Sequence, residues 1–165
     1  MKKLLLLALC IVFVLCGCDK KAEPFYETTS DKITLTTDFH YYFSDDTFLL
    51  THWSNQTEGT IRFTDEFRLE KLSGNTWYTV SEKEAPLFNK DYLHILEPMS
   101  EGMARYDIDA YLDALEQQTT YRLSTYCFDE SGNYYQVYAE FVCDDEAANI
   151  EIEGLMDVQE LPSES

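Results

Sequence analysis

The chain has 165 residues, with 31 acidic side chains against 12 lysines and arginines and a formal net charge of −19. Nucleic-acid binding draws its affinity from clustered basic side chains that displace counterions, and apart from two lysine pairs near the N-terminus the chain has no basic block. A nucleic-acid partner is therefore excluded. The length fits one domain with tails, and we expect a monomer.

The N-terminus carries a short apolar segment behind two lysines. Lys2 and Lys3 precede an apolar run over Leu4 to Leu15, which is shorter than the roughly 20 residues that a membrane-spanning helix needs. A cationic start and a short apolar core are typical of a signal peptide. We predict that residues 1–17 are removed, which leaves 165 − 17 = 148 residues with a net charge of 10 − 31 = −21.

The segment Leu15-Cys16-Gly17-Cys18 at the end of this run resembles the processing signal of bacterial lipoproteins. An aliphatic residue stands three positions before Cys18, and a small residue stands directly before it. The resemblance implies that Cys18 becomes the lipidated first residue and holds the protein on the extracytoplasmic face of the cell membrane. The alternative is an ordinary secretory peptide in which Cys18 is incidental.

Residues 18–31 are polar, contain Pro24 and lack periodicity, so we predict a lipidated, flexible tether. Apolar and polar residues then alternate in short runs that end at Gly, Asn and Ser clusters, which predicts a domain over residues 32–143. Strands are predicted at 32–37, 47–54, 60–63, 66–72, 76–80, 92–96 and 103–108. Strands at such regular spacing favour an all-β sandwich over an α/β sheet.

One segment departs from this pattern. Ile108, Tyr111, Leu112 and Leu115 recur at helical spacing, so residues 109–117 are predicted to form a short crossover helix at the end of the sandwich.

The last two strands form the clearest hairpin, with 121–128 paired to 134–143 across Ser131-Gly132-Asn133. Apolar residues face each other if the paired positions sum to 264, so we predict that Leu123 opposes Phe141 and Cys127 opposes Val137.

That register bears on the two cysteines of the domain. Cys127 and Cys143 would lie about 20 Å apart at the usual rise of a strand, whereas a disulfide needs Cα atoms within roughly 7 Å. We expect both to be unbridged, either as small core residues or as a weakly exposed thiol.

Residues 144–165 hold eight acids and no base, which predicts an acidic, mostly disordered tail. Ile150 and Ile152 alternate with glutamates, so a short edge strand over 149–154 is the alternative.

Residues 32–143 resemble the bacterial immunoglobulin-like (Ig-like) domains of small lipoproteins. The resemblance rests on the polar turn at Asn55, on the segment 67–72 (FRLEKL) leading through Gly74 to 77–80 (WYTV), and on Tyr121-Arg122-Leu123 at the start of the last hairpin. It implies an Ig-like antiparallel β-sandwich and brings no catalytic motif.

Motifs that carry chemistry are missing from the sequence. His40, His52 and His94 form no HExxH motif, and the acidic runs at 45–46 and 144–146 lack the alternating loop and glycine of a calcium site. No serine lies in a GxSxG elbow. We predict no catalytic residue, no metal site and no cofactor.

Two function classes remain open. The first is a non-catalytic binding or structural module of the bacterial cell envelope, with an envelope protein, peptide or glycan as partner. Its candidate binding surface consists of five aromatic residues, for which core packing is the alternative and slightly favoured explanation: Tyr41, Tyr42, Phe43, Tyr134 and Tyr135. The second class is a small secreted hydrolase or enzyme inhibitor, which a deep pocket lined by His94 and several acids would favour.

Overall fold

A computed structural model describes residues 20–81 and 92–159. The predicted signal peptide and Cys18 lie outside these residues, as does the end of the acidic tail. Within the described part of the chain, no helix is long and apolar enough to cross a membrane.

Two sheets make up the fold, and the predicted all-β sandwich is confirmed. The elements are β1 (Ile33–Thr37), β2 (Tyr41–Tyr42), β3 (Phe48–Asn55), β4 (Ile61–Ser73), β5 (Thr76–Thr79), β6 (His94–Leu96), β7 (Ser100–Asp107), a 3₁₀ helix (Asp109–Ala114), β8 (Thr119–Asp129), β9 (Tyr134–Cys143) and α1 (Asp145–Gln159). The three-stranded sheet has the order β1-β3-β7, and the six-stranded sheet has the order β2-β9-β8-β4-β5 with β6 also paired to β4. Among the described strands, β2 and β9 pair in parallel and the other pairs of these sheets are antiparallel.

The core lies between the two sheets and is built from large aromatic side chains. Trp53 of β3 stacks on Phe63 of β4 with ring centroids 3.9 Å apart, and Tyr106 of β7 meets Phe67 of β4 edge to face at 5.4 Å. All four are buried. Since alternate residues of each strand point to the same side, period-two alternation places these rings in one layer.

The crossover helix is a 3₁₀ helix that ends three residues earlier than predicted. It connects β7 in the three-stranded sheet to β8 in the six-stranded sheet. This is the connection between the two sheets that the sequence predicts.

The predicted strands 60–63 and 66–72 form one long strand, β4, with a bulge between Phe63 and Phe67. Phe63 pairs with Cys127 and Phe67 with Thr125, so four steps along β4 match two along β8. A bulge leaves its extra residues out of the ladder and re-aims their side chains. Asp65 thereby reaches the ring of His94, with Oδ1 2.7 Å from Nε2.

The predicted register of the β8–β9 hairpin is wrong by two residues. Leu123 faces Ala139 and Cys127 faces Tyr135, so paired positions sum to 262. The turn between the two strands fixes this register, because the backbone N–H of Asp129 donates to the carbonyl of Asn133 at 3.0 Å. The Asp129 carboxylate also accepts both N–H groups of Asn133 at 2.9 Å. A shift of two preserves the faces, which is why the apolar pattern did not reveal it.

The cysteines of the domain are small core residues rather than a weakly exposed thiol. Cys127 pairs with Tyr135 and Cys143 with Thr119, so the two thiols lie eight positions apart along β9, and both are free and fully buried. Burial raises the pKa of Cys127 to about 12 and that of Cys143 to about 11. Neither thiol is therefore activated as a nucleophile near neutral pH.

The acidic tail differs from its prediction, since residues 145–159 form helix α1 rather than a disordered segment or an edge strand. Asp144 caps the helix by accepting the N–H of Ala147 at 3.1 Å. The Glu151 carboxylate accepts the N–H groups of His40 and Tyr41 at 3.2 and 3.0 Å. Two carboxylates in the first turn interact favourably with the positive end of the helix dipole. Together, these contacts stabilise a helix that has little apolar surface to bury.

Candidate binding surface

The five aromatic residues that the sequence singled out do not form one surface. Tyr41 pairs with Val142 near the end of β9, whereas Tyr134 and Tyr135 begin that strand. The two groups therefore lie at opposite ends of β9. Along a strand of ten residues this is roughly 30 Å.

The individual side chains of this set have different environments. Tyr42 is buried, packs edge to face on Phe141 at 5.3 Å and donates its hydroxyl to the carbonyl of Leu50 at 3.3 Å. Tyr41 and Phe43 are half-buried beside it. Tyr135 faces the interior with its hydroxyl 3.1 Å from Asp129. Tyr134, which is 39% exposed, is the one exposed ring of the set.

Tyr134 belongs to a layer of aromatic and arginine side chains on the outer face of the six-stranded sheet. We call this the outer-face layer, and its members are Phe25, Tyr26, Arg68, Trp77, Arg122, Tyr126, Phe128, Tyr134 and Tyr138.

A buried ion pair lies at the centre of the outer-face layer. Nε of Arg122 on β8 is 2.6 Å from Oε2 of Glu70 on β4, and the Glu70 side chain has no exposed surface. The guanidinium carbon lies 4.3 Å from the ring centroid of Trp77 and 4.0 Å from that of Tyr138. Cross-strand pairing explains the contact, because Glu70 and Arg122 are directly opposite in the ladder.

The N-terminal segment lies across this layer and corrects the prediction of a flexible tether for residues 20–31. We call residues 20–28 the strap. The carbonyl of Lys20 accepts the N–H of Thr79 at 3.0 Å, and the N–H of Ala22 donates to Trp77 at 2.9 Å. The strap therefore begins as a short extension of the sheet beside β5.

Beyond Ala22 the strap crosses the outer face toward β9. The Arg68 guanidinium lies 3.9 Å above the ring of Phe25 and also donates to the carbonyl of Glu23. The ring of Tyr26 stacks on Tyr134 at 4.4 Å. The strap reaches the far side of β9 at Thr28, whose carbonyl accepts the N–H of Gln136 at 2.7 Å.

The side chain of Gln136 fastens the strap to the sheet. It is almost fully buried, and its Oε1 accepts the N–H groups of Phe25 and Tyr26 at 2.8 and 3.3 Å. Its Nε2 donates to Thr125 O at 2.7 Å and Ser124 Oγ at 2.9 Å. A buried amide with both ends paired holds its neighbours in one geometry.

The phenols of Tyr126 and Tyr138 remain neutral hydrogen-bond donors. Burial and the Glu66 carboxylate, which accepts the Tyr126 hydroxyl at 2.9 Å, raise the pKa of Tyr126 to about 12. Burial also raises the pKa of Tyr138. Neutral rings with a polar tip can stack on a sugar face or an apolar peptide side chain and still donate one hydrogen bond.

Histidine and acidic residues form pairs rather than a larger cluster in the described structure. His94 pairs with Asp65, and His52 pairs with Asp38 at 2.8 Å. Within residues 20–81 and 92–159, no group of three or more His, Cys, Asp or Glu side chains could hold a metal ion.

A cleft of about 290 Å³ beside β5 is lined by Lys71, Ser73, Tyr78, Thr79, Val80, Ser81 and Glu116. The ion pair of Lys71 with Glu116, at 2.5 Å, crosses it. His94 is not among the lining residues, so this cleft is not the pocket that would favour a hydrolase.

The sequence pattern did not predict that Trp77, Arg122, Tyr138 and the strap belong to one surface. A usable signal was present, because aromatic residues recur at alternate positions on the polar-facing side of β8 and β9, at 126, 128, 134 and 138. Aromatic residues on both faces of a strand indicate that the outer face is also covered or used.

Comparison with known proteins identifies a family and finds distant similarity to solved structures. A family model described as a bacterial Ig-like domain matches residues 29–142. The chain is similar to the archaellum periplasmic stator protein FlaG from Sulfolobus acidocaldarius, at 14% identity and TM-score 0.37, over 66% of this chain and 99% of that one. It is also similar to the sporulation control protein Spo0M from Bacillus subtilis, at 12% identity and TM-score 0.39, over 75% of this chain and 55% of that one. No curated protein matches the chain.

Proposed function

Because the chain belongs to the bacterial Ig-like domain family, we propose that it is a lipid-anchored, non-catalytic module of the bacterial cell envelope. Cys18 carries the lipid on the extracytoplasmic side of the cell membrane. The domain acts as a monomer and binds an envelope protein, peptide or glycan through the outer-face layer.

The segment Leu15-Cys16-Gly17-Cys18, which resembles a lipoprotein processing signal, supports the anchoring part of the proposal. Lys20 is already hydrogen-bonded to β5, and Cys18 precedes it by two residues. The lipid is then attached two positions before the part of the chain that pairs with β5. A domain with a charge of −21 has no basic block to hold it at an anionic membrane, so the lipid supplies the attachment, at about 0.8 kcal/mol per buried methylene group.

The binding part of the proposal is supported by the outer-face layer. Trp77 and Tyr138 are half-buried and Tyr134 is exposed. Aromatic residues and arginine are the types that dominate the binding energy of protein surfaces. The non-catalytic part accords with the buried, unactivated thiols and with the absence of catalytic sequence motifs.

Cys18→Ala tests the anchor. We expect the variant to keep its signal peptide or to leave the membrane fraction for the soluble one, as measured by detergent-phase partitioning and by the mass of the mature chain. Cys16→Ala is the matched control, because it removes a thiol two positions away and leaves the acceptor in place. Partitioning of the Cys18→Ala protein identical to that of the unsubstituted protein would refute the anchor.

Tyr134→Ser tests the binding surface. With the lipid-free chain from Asp19 onward, we expect retention on purified cell-wall material to weaken about tenfold, equivalent to about 1.4 kcal/mol. Tyr92→Ser is the matched control, since Tyr92 is 54% exposed and lies two residues before β6, outside the outer-face layer. Equal retention of the two variants would remove the outer-face layer as the binding surface.

A further inference from the structure

We infer that the edge of the six-stranded sheet formed by β5 and β6 faces the lipid bilayer, so that the protein has one orientation on the membrane. Helix α1 and β2 then lie farthest from the lipid. This inference rests on the lipid anchor at Cys18 proposed above and adds the surface that meets the membrane.

The sheet topology places β5 and β6 on the same edge. β8 pairs with β4 at Ile61–Phe63 and again from Phe67 to Lys71, so it occupies one side of β4 along nearly its whole length. β6 pairs with Ile61–Phe63 and β5 with Glu70–Ser73. Both must therefore lie on the other side of β4, and we call this side the β5–β6 edge.

The lipid attachment point is tied to the β5–β6 edge. Lys21 forms an antiparallel β-bridge with Tyr78 of β5, and the backbone carbonyl of Lys20 accepts a hydrogen bond from the N–H of Thr79. From Lys20 back to the proposed lipid attachment point there are two residue steps, which reach at most about 7 Å when fully extended. A tether this short keeps β5 next to the membrane surface.

The β6 end of the same edge exposes apolar side chains. Tyr92 is 54% exposed, Leu93 40% and Ile95 58%, within four consecutive positions. Exposed apolar groups gain by entering the interface between headgroups and acyl chains, and tyrosine is enriched there because its ring has an apolar body and a polar tip.

The charge distribution of the sheet has the matching polarity. Among the described residues on or beside the β5–β6 edge, positive and negative side chains balance: the cations are Lys20, Lys21, Arg62 and Lys71, and the acids are Glu23, Asp65, Glu97 and Glu116. Residues 134–159, which form β9 and α1, contain seven acids and no lysine or arginine. Four strand spacings of about 4.8 Å separate β2 from β5. That distance of roughly 19 Å exceeds a Debye length of about 8 Å, so this orientation screens the acidic edge from anionic headgroups.

Depth measurements on the lipidated full mature chain test the orientation. Ile95→Cys and Ile150→Cys each place one exposed thiol, on β6 and on α1, at positions that are 58% and 65% exposed. Cys127 and Cys143 are buried and do not compete for label. Each variant carries a bimane fluorophore in vesicles of phosphatidylethanolamine and phosphatidylglycerol that contain a spin-labelled lipid as quencher.

We expect several-fold stronger quenching at position 95 than at position 150. Equal quenching in protein that floats with the vesicles would overturn the orientation and leave the anchor intact. Stronger quenching at position 150 would also overturn it. Protein that fails to float would refute the lipid anchor and, with it, the inference.

Discussion

Replacing Arg122 by methionine is expected to destabilise the protein by about 3–5 kcal/mol, because it leaves the carboxylate of Glu70 buried without its partner. The Glu70 side chain has no exposed surface. Its other oxygen, Oε1, has no hydrogen-bond partner among the described residues, so the Arg122 guanidinium is its main compensation. Urea unfolding followed by tryptophan fluorescence measures the loss.

Two further variants separate the buried charge from the loss of an arginine as such. Arg62→Met removes an arginine whose partner, Glu130, is 66% exposed, and exposed pairs contribute at most about 1 kcal/mol. The double variant Glu70→Leu/Arg122→Met removes both charges and should regain most of the stability lost in the single variant. A single Arg122→Met variant no less stable than Arg62→Met would contradict the assignment of a buried pair.

Replacing Gln136 by leucine is expected to release the strap and to lower the free energy of unfolding by about 1–3 kcal/mol. The backbone N–H groups of Phe25 and Tyr26 lose their acceptor, and the carbonyl of Thr125 loses a donor. Limited proteolysis with trypsin should cut the variant faster after Lys20 and Lys21, which pair with β5 in the intact strap.

Gln56→Leu is the control for this change. Gln56 is exposed and donates to Ser54 on the surface at 2.9 Å, so its replacement should leave both stability and the cleavage rate of the strap nearly unchanged. If strap cleavage in Gln136→Leu matched that of the unsubstituted protein, the role of Gln136 as the fastener of the strap would be wrong.

The fold class was accessible from sequence because each strand is half-buried. Alternation in β1 and β3 gives Ile33, Leu35, Leu49 and Trp53 to the core, and a pattern of period two has one structural meaning over such short runs. The register of β8 and β9 was not accessible, since a shift of two residues keeps every side chain on its face. The turn contacts of Asp129 with Asn133 decide between the alternatives.

The ends of the domain were mispredicted for a common reason. Composition identifies residues 18–31 and 144–165 as polar and acidic, and it contains no information on long-range partners. Gln136 lies more than a hundred positions from the strap, and Glu151 lies as far from the N–H groups that it accepts. Such contacts stabilise segments that carry little apolar surface of their own.

The all-β class and the strongly acidic charge therefore follow from the sequence, because alternation and composition are local properties. The tertiary structure alone decided which aromatic residues share a surface. Tyr42 and Tyr134 look alike in sequence, yet Tyr42 is in the core and Tyr134 lies on the outer face of the sheet, stacked against Tyr26 of the strap. Side-chain burial depends on which strands pair and at what register, and those pairings join residues that are distant along the chain.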